Sequence, residues 1–401
     1  MTKWSGYIYK KTMEKMGFCQ QWIQLVMNCI CIASYSILVN EEPKGDIRPS
    51  KGIRQEDPLS PYLFLICSEG LNHQIQKATK DDLIRGFSLC KSGPKIIHLF
   101  FADDTLLFCR AEIGDLQVIQ DILQLYEKAL GQKINRNKTT VFFSKATNEG
   151  RKVEIKDFLG VSEVREYERY LGLPAVVGKN KKASLNYIKE RVWNKLQDWK
   201  EKLLSQVERE VLLKVMVQAI PTFTMGCFLL PVSLIHDIEM MIRKFWWGQR
   251  GEQRKIHWKK WEILCKPKNM GGIGFKDLVK FNEAMLAKQV WRLLTDHSSL
   301  YYRVFKVKYF PNGSVFEAKV ASGSYAWRSI LKARGLIQRG MLWRVGDGRN
   351  INIYADRWLP NEGSAKIISP QVYTAKEWTV AQLIDSNGGG WNDHLIDSLF
   401  L

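Results

Sequence analysis

Several features that mark common protein classes are missing from this sequence of 401 residues. None of the eight cysteines forms a Cys-x-x-Cys pair, and the six histidines are scattered, so neither a zinc site nor a disulfide scaffold is indicated. Because most cysteines lie in apolar runs, we expect buried free thiols and no disulfide partner. No internal repeat or low-complexity tract is present, which argues against a repeat architecture.

Long apolar runs are also scarce. The first residues are polar and basic and contain no apolar core of a signal peptide. The most apolar long stretch, residues 22–39, is interrupted by Gln24, Asn28, Ser34 and Ser36, which favours a helix followed by a strand over a membrane span. We therefore expect no membrane partner. No targeting signal is visible, so the compartment is open, and an intracellular location, nuclear or cytoplasmic, is the expectation.

Acidic residues are too few to balance the basic ones. The chain has 41 Asp and Glu against 60 Lys and Arg, which gives a formal net charge of +19. Such an excess favours a polyanionic partner, because Lys and Arg release counterions when they bind phosphates. The 14 Trp and 14 Tyr could offer stacking surfaces for bases, although most aromatic residues of a globular protein belong to its core.

The most informative segment is a pair of adjacent acids inside an otherwise almost wholly apolar run, residues 96–108. The flanks predict two buried strands, and Asp103 and Asp104 predict the tight turn between them. Two carboxylates held in this way could bind divalent cations, which prefer oxygen ligands and which phosphoryl-transfer enzymes often use in pairs. Asp-Asp is also ordinary turn chemistry, so the pair alone leaves both interpretations open.

Apolar periodicity predicts helices and strands on both sides of this hairpin. Helices are predicted over residues 8–31, 58–78 and 113–131, and strands over 35–40 (with a turn at 41–45) and 141–143. From Lys179 an apolar stripe, Ile188 to Val215, predicts one helix of about eight turns. Ten Lys or Arg against five acids in residues 179–214 indicate either a solvated face or a surface that contacts phosphates. More helices are predicted over residues 232–310.

Three further segments stand in a defined order around the acidic pair: residues 51–61, 135–139 and 170–174. Together with residues 96–108 they resemble the palm motifs of reverse transcriptases, and in particular those of plant non-LTR (LINE-type) retrotransposons. The resemblance runs along nearly the whole chain. It implies an α+β fold: a reverse-transcriptase-like palm, with helices packed on an antiparallel sheet, followed by a helical thumb and a mixed C-terminal connector.

The resemblance also implies domain bounds and partners. The expected domains are a truncated palm (residues 1–175), a basic helical thumb (176–225), a helical connector (226–340) and the start of a linker towards a missing zinc-binding segment (341–401). The expected activity is RNA-directed DNA polymerisation, with an RNA template, a DNA primer, dNTPs and Mg²⁺. The oligomeric state is open.

Individual roles follow from matching positions. Asp103 and Asp104 would hold metal, and Lys138 would protonate the leaving pyrophosphate. Arg54, Gln55 and Phe101 would lie against the nucleotide, the template base or the primer end. Tyr170, Leu171 and Gly172 would grip the primer, and Lys181, Lys182 and Lys189 of the thumb would contact the nucleic-acid backbone. Taken alone, Lys138 is equally an ordinary surface lysine.

Two departures from the family pattern predict a weak or inactive enzyme. Glu56 stands where the family has glycine, and it adds bulk and negative charge near a triphosphate. Residues 1–4 resemble the family's first motif without its metal-ligand aspartate, so a complete Mg²⁺ site is not expected. Two alternatives therefore stay open: a non-enzymatic nucleic-acid-binding relic, and a pseudogene product that does not fold stably.

Overall fold

The computed structural model describes most of the chain. The described residues are 3–32, 34–47, 57–102, 104–130, 133–164, 169–174, 177–200, 204–248, 256–319, 323–360, 365–370, 377–385 and 390–400. The chain divides into two compact units, Met1–Ala175 and Val176–Leu401. No helix within the described ranges has the length and apolar content needed to cross a membrane.

The first unit mixes helices with small sheets. Its helices are α1 (Lys3–Lys15), α2 (Gln20–Cys31), α3 (Ser60–Lys80), α4 (Ile113–Leu130) and α5 (Glu149–Leu159). Its strands are β1 (Tyr35–Val39), β2 (Glu42–Ile47), β3 (His98–Phe101), β4 (Asp104–Leu107), β5 (Thr140–Val141), β6 (Ser162–Glu163), β7 (Arg169–Tyr170) and β8 (Leu173–Pro174). The described strands pair as β1–β2, β3–β4 and β7–β8, all antiparallel, and as β5–β6, which is parallel. A mixed α and β composition was expected; the single palm sheet stays a prediction.

Two local predictions in this unit are wrong, because residues with positive φ interrupt the predicted helix and place the turn earlier than predicted. The helix predicted over residues 8–31 is split into α1 and α2 at Gly17, whose φ of +84° is incompatible with a continuing right-handed helix. The turn predicted at residues 41–45 lies instead at Asn40 and Glu41, with φ of +52° and +68°. This is the two-residue hairpin geometry that matches the twist of paired strands, so residues from Glu42 onward belong to β2.

Helix α3 is confirmed, and its buried face forms the centre of the first unit. Pro61 stands in its first turn, where the missing N–H costs no hydrogen bond. Leu63, Cys67, Leu71 and Ile75 are all buried, as the four-residue spacing predicted. Leu63 and Cys67 pack with four buried side chains of α1 and α2: Tyr9, Met13, Ile23 and Val26.

The cysteines are less buried than predicted. All eight are free; Cys67 is buried, Cys90, Cys109, Cys227 and Cys265 are half-buried, and Cys19, Cys29 and Cys31 are exposed. Burial raises the pKa of the Cys67 thiol to about 12, although a hydrogen bond with Tyr9 acts in the opposite direction. The exposed three flank or lie in α2, of which only one face is covered.

The regular elements of the second unit are helices, with irregular segments and isolated β-bridges between them in its described part. Its α-helices are α6 (Lys181–Leu185), α7 (Tyr187–Lys200), α8 (Gln206–Leu212), α9 (Thr222–Met225), α10 (Val232–Trp246), α11 (Trp261–Leu264), α12 (Leu278–Thr295), α13 (Leu300–Tyr309), α14 (Tyr325–Lys332), α15 (Arg334–Gly340) and α16 (Asp393–Leu399). A π-helical turn, Leu213–Val217, continues α8, and 3₁₀ turns lie at Lys268–Met270 and Val380–Leu383.

The single eight-turn helix predicted from Lys179 is wrong. A new helix begins at Ser205, whose hydroxyl accepts from the backbone N–H of Glu208 while the Glu208 carboxylate accepts from the N–H of Ser205. The buried part of the predicted stripe runs from Ile188 to Trp199. Val207, Val211 and Val215 are 53–70% exposed, so the apolar spacing beyond α7 does not mark a buried face.

Buried polar side chains tie α12 and the residues just before it to the segment from Gln218 to Leu230, which precedes α10. Asn282 of α12 is fully buried; its amide donates to the carbonyls of Met225 and Phe228 and accepts from the N–H of Leu230. The Gln218 amide bonds in both directions with the backbone of Lys276. Each polar group is thereby satisfied away from water, which fixes the register of segments more than fifty residues apart.

The C-terminal part of the second unit has a small core of its own. Ile351, Ile353 and Trp358 pack with Val380 and Leu383, and Trp358 Nε1 donates to the Ile353 carbonyl at 2.9 Å. Residues 341–401, assigned to a linker by the resemblance, are therefore folded over much of their described part.

Gly348 allows this core to close. Its φ is +69°, and a Cβ at this position would lie 2.5 Å from the Ala381 nitrogen and 2.8 Å from the Val380 carbonyl carbon. We expect Gly348→Ala to lower the local unfolding free energy by about 2 kcal/mol or more, from left-handed strain and displaced backbone. Amide hydrogen exchange at Ile353 and Val380, whose N–H groups bond within this core, is the measurement.

Gly346→Ala is the matched control, because a Cβ at Gly346 would meet nothing within 4 Å. Equal exchange rates in the two variants would contradict the packing described around Gly348.

Candidate active site and nucleic-acid interface

The predicted acidic hairpin is present. β3 and β4 pair in register from His98–Leu107 to Phe101–Asp104, so the two strands are joined by a tight turn between Phe101 and Asp104. Ala102 has φ +48°, as such turns require, and Asp103 itself lies outside the described residues. Asp104 is the first residue of β4 and not part of the turn, which corrects the prediction for that residue.

The turn end of the hairpin is open to solvent. Asp104 is exposed, and the Phe101 ring opposite it is 54% exposed. The strands were predicted to be buried, but they are half-buried away from the turn and exposed next to it. An exposed apolar ring across from an exposed carboxylate could contact a bound ligand that has both an aromatic and a cationic or metal-bound part.

The other end of the hairpin is anchored on helices. Leu107 and Ile97 line a small apolar cavity together with residues of α3, α4 and the loop between α3 and β3: Ile75, Ile84, Ile119, Ile122 and Leu123. The His98 ring packs on Phe100 at 4.5 Å between centroids, and burial lowers the pKa of His98. The acidic turn is thus carried by strands whose base is held by an apolar core.

A buried carboxylate that the sequence analysis did not single out fixes the chain on both sides of this hairpin. Asp115, 2% exposed, accepts from Arg110 Nη2 at 2.7 Å and from the backbone N–H of Arg85 at 3.2 Å. Arg110 follows β4, and Arg85 precedes β3. The sequence feature that could have indicated the pair of Asp115 and Arg110 is an acid in the first turn of α4, five residues after an arginine. The contact with Arg85 could not be read from it.

The remaining palm residues are placed separately. Arg54, Gln55 and Glu56 lie outside the described residues. Lys138 is exposed in a turn, where its N–H donates to the Asn135 carbonyl. In the part of the chain that the structure describes, no hydrogen bond or ion pair joins Lys138 to Asp104. The role of each in one site stays a prediction.

The predicted primer grip is a tight hairpin turn. Arg169 pairs with Pro174 and Tyr170 with Leu173, so Leu171 and Gly172 form the two-residue turn, with φ of +51° and +75°. Gly172 is exposed and Leu171 is half-buried, and the contact of this turn with a primer stays a prediction.

The thumb lysines have partners within the second unit. Lys182 and Lys189 both bind Asp237 of α10, at 3.0 and 3.2 Å, and Lys181 lies over the Tyr325 ring at 5.1 Å. The Lys182 ammonium, and then that of Lys189, hold the pKa of the Asp237 carboxyl below its usual range. Two cations on one carboxylate leave an excess positive charge at this surface.

The described carboxylates do not fit a Mg²⁺ site by themselves. Mg²⁺ requires octahedral oxygen coordination, whereas the described part of the expected site supplies only Asp104. Among the described residues, no group of three or more His, Cys, Asp or Glu is arranged to hold a metal ion.

We expect Asp115→Asn to destabilise the hairpin by about 1–3 kcal/mol, because the amide would turn N–H donors toward arginine donors in a buried place. Hydrogen exchange over residues 96–108 should accelerate. Asp82→Asn is the matched control: Asp82 also pairs with Arg85, but both side chains are exposed, so exchange should change little. If both variants left exchange over residues 96–108 unchanged, the anchoring role of Asp115 would be wrong.

Comparison with known proteins locates a family in the first unit. Residues 7–174 match the family described as reverse transcriptase (RNA-dependent DNA polymerase). This range contains α3, the acidic hairpin and the turn at Leu171 and Gly172. Reverse transcriptases use nucleic-acid templates, nucleotide substrates and, typically, a divalent metal.

The curated relatives come from Arabidopsis thaliana. An uncharacterized mitochondrial protein is 41% identical over 146 residues, which are 36% of this chain and 95% of that protein. A protein named as a candidate ribonuclease H protein is 31% identical over 230 residues, 56% of this chain and 37% of that protein. A second uncharacterized mitochondrial protein is 41% identical over 76 residues, 19% of this chain and 62% of that protein. Through residues 7–174, the chain belongs to the reverse transcriptase (RNA-dependent DNA polymerase) family.

Proposed function

We propose that this chain supplies the RNA-directed DNA polymerase region of a plant non-LTR (LINE-type) retrotransposon protein. The observation that carries the proposal is the β3–β4 hairpin, in which the exposed Asp104 begins β4 inside the family-matched residues and is preceded in the sequence by Asp103. The order of the surrounding motifs supports the same interpretation.

In the proposed reaction the primer 3′-hydroxyl attacks the α-phosphorus of a dNTP. A new O3′–Pα bond forms as the bond from Pα to the bridging oxygen breaks, the hydroxyl proton passes to solvent water, and pyrophosphate leaves. Lys138 would give a proton to the pyrophosphate. Phe101 would lie against the primer end, and Arg54 and Gln55 against the nucleotide and template base.

The remaining nucleic-acid contacts would flank this site. Tyr170, Leu171 and Gly172 would hold the primer strand through their turn. Asp103 and Asp104 would be the carboxylates that bind Mg²⁺, an ion that neutralises charge on transferring phosphates when it is bound.

We propose further that polymerisation by this chain is weak. Glu56 replaces the family's glycine beside Arg54 and Gln55. A carboxylate at that place would repel the triphosphate, and its side chain would occupy space that a glycine leaves to the ligand. Repulsion of the dNTP would raise the activation free energy of nucleotide transfer. It would not prevent nucleic acid from binding elsewhere on the chain.

A non-enzymatic nucleic-acid-binding protein is the second candidate. The net charge of +19 supports it, together with the excess positive charge that Lys182 and Lys189 leave around Asp237. Such binding depends on phosphate contacts and not on the acidic turn.

Primer extension on an RNA template with Mg²⁺ and dNTPs separates these candidates. We expect extension near background by the chain itself and stronger extension by Glu56→Gly, because glycine removes the charge and the bulk at that position. The Asp103→Ala change, made alone and in the Glu56→Gly background, is the control and should abolish extension.

Each other outcome is informative. Strong Asp103-dependent extension by the unchanged chain would show that Glu56 does not impair it. If Glu56→Gly bound template–primer yet still extended nothing, the polymerase proposal would fail and the binding protein would be the better description.

Neutralising the thumb lysines tests the backbone contacts. We expect the triple variant Lys181→Gln, Lys182→Gln and Lys189→Gln to bind template–primer more weakly. The slope of the logarithm of the binding constant against the logarithm of salt concentration should become shallower by about 2. Roughly one ion is released per lysine engaged, and two of these lysines share Asp237. Asp103→Ala should bind normally.

The matched control removes the same charge from other exposed lysines of the second unit: Lys288, Lys308 and Lys332. Equal salt slopes for the two triple variants would contradict the assignment of a specific backbone contact to Lys181, Lys182 and Lys189.

A further inference from the structure

A group of cations surrounds the C-terminal end of α10. Arg243 and Lys244 belong to its last turn, and Arg209 of α8 reaches the same place: its Nη1 lies 2.7 Å from where a Cβ of Gly248 would stand. His257 joins them, and the exposed Trp258 follows it. We refer to Arg209, Arg243, Lys244, His257 and Trp258 as the α10-end cluster.

No carboxylate neutralises this cluster within the described part of the chain. Arg209, Arg243 and Lys244 make no ion pair with any described residue. The acids that flank Arg209 are already engaged: Glu208 caps the start of α8, and Glu210 binds two lysines outside the cluster, both at 2.8 Å. Lys244 is exposed and Arg209 and Arg243 are half-buried, so three positive charges without a described acidic partner lie at this helix end.

The His257 ring is held close to these charges. It stacks on Trp247 with 6.1 Å between centroids and 20° between planes. Burial, and after it the charges of Arg243 and Lys244, lower the pKa of His257. The lowered pKa also reflects how near both cations are to the ring.

Two hydrogen-bond donors at this place lack an acceptor. Arg243 Nε and the Trp247 indole N–H are buried and have no partner in the described structure. They are four residues apart, so they lie on one face of the helix end. A buried donor left unpaired is costly, and an anion seated here after a small side-chain rotation would supply the missing acceptors.

Trp258 is fixed in an exposed position. It is 77% exposed, while the residues on either side of it are anchored. His257 stacks on Trp247, Lys259 donates to the Gly271 carbonyl at 3.0 Å, and Trp261 is buried and stacked on Phe275. These contacts hold the backbone on both sides of Trp258, and the exposed indole offers its face to a ligand.

We propose that the α10-end cluster binds single-stranded nucleic acid, with Arg209, Arg243 and Lys244 on successive phosphates and Trp258 stacked on a base. Unpaired cations beside an exposed indole are the combination that single strands require, because phosphate contacts and base stacking are both available to them. Bases inside a duplex are already stacked and offer no free face. The inference rests on the proposed function only for taking the polyanion to be a nucleic acid.

The test measures binding of a labelled oligouridine and of an oligodeoxythymidine to the full chain at several salt concentrations. We expect the double variant Arg243→Gln and Lys244→Gln to raise Kd about tenfold. The slope of the logarithm of the binding constant against the logarithm of salt concentration should become shallower by about 2. Trp258→Ala should raise Kd by about tenfold or more with an unchanged slope, and Trp258→Phe should recover most of the affinity.

Matched controls remove the same groups elsewhere. Lys288→Gln with Lys332→Gln takes away two charges, and Trp291→Ala removes a Trp that is 47% exposed on α12. Both should bind nearly as well as the unchanged chain. If the cluster variants weaken binding no more than these controls do, the proposal is wrong.

Two further measurements sharpen the result. Polyphosphate should compete poorly with oligouridine, since it has no bases; equal competition would reduce the cluster to a general anion site and overturn the proposal. Asp103→Ala should bind single strands normally, so a failure of the polymerase proposal would leave this result unchanged. Preference for one of the two oligonucleotides would identify the strand, and either strand supports the inference.

Discussion

Burial of one face of α3 is the constraint on which the first unit depends. Leu63 and Cys67 close against α1 and α2, and Ile75 meets the base of the acidic hairpin together with α4. Because burial of each large apolar side chain contributes about 1.5–3 kcal/mol, this face orders elements that are far apart in sequence. The hairpin itself is too short and too exposed to be stable alone, so the position of Asp104 is determined by a helix that it does not touch.

The acidic turn is positioned by a second, electrostatic constraint. Asp115 holds Arg110 on one side of the hairpin and the Arg85 backbone on the other, at a place from which water is largely excluded. Loss of either interaction leaves a buried group unpaired, which makes the arrangement more specific than an apolar contact of the same size. Apolar burial sets where the strands lie, and Asp115 limits how far their ends can move.

Sequence patterns correctly predicted the elements whose conformation depends on residues close together in the chain. The four-residue spacing along α3 and the apolar flanks of Asp103 and Asp104 identified a helix and a hairpin correctly. The same reasoning failed where the outcome depends on a single backbone conformation or on distant partners. Gly17 broke a helix through its positive φ, and Ser205 started a new one inside a continuous apolar stripe. Periodicity contains no information on either event.

The other features that the sequence did not predict depend on contacts between segments that are far apart in the chain. The buried amides of Gln218 and Asn282 bind backbone groups more than fifty residues away, and nothing in their sequence neighbourhood marks them. The same holds for the predicted thumb lysines: the charge of residues 179–214 was evident, but the pairing of Lys182 and Lys189 with Asp237 was not. Net charge therefore predicts a polyanionic partner and leaves its place open. The place that we propose follows from where acids are already engaged: Asp237 and Glu210 each bind two lysines, and no acid among the described residues pairs with the cations at the end of α10.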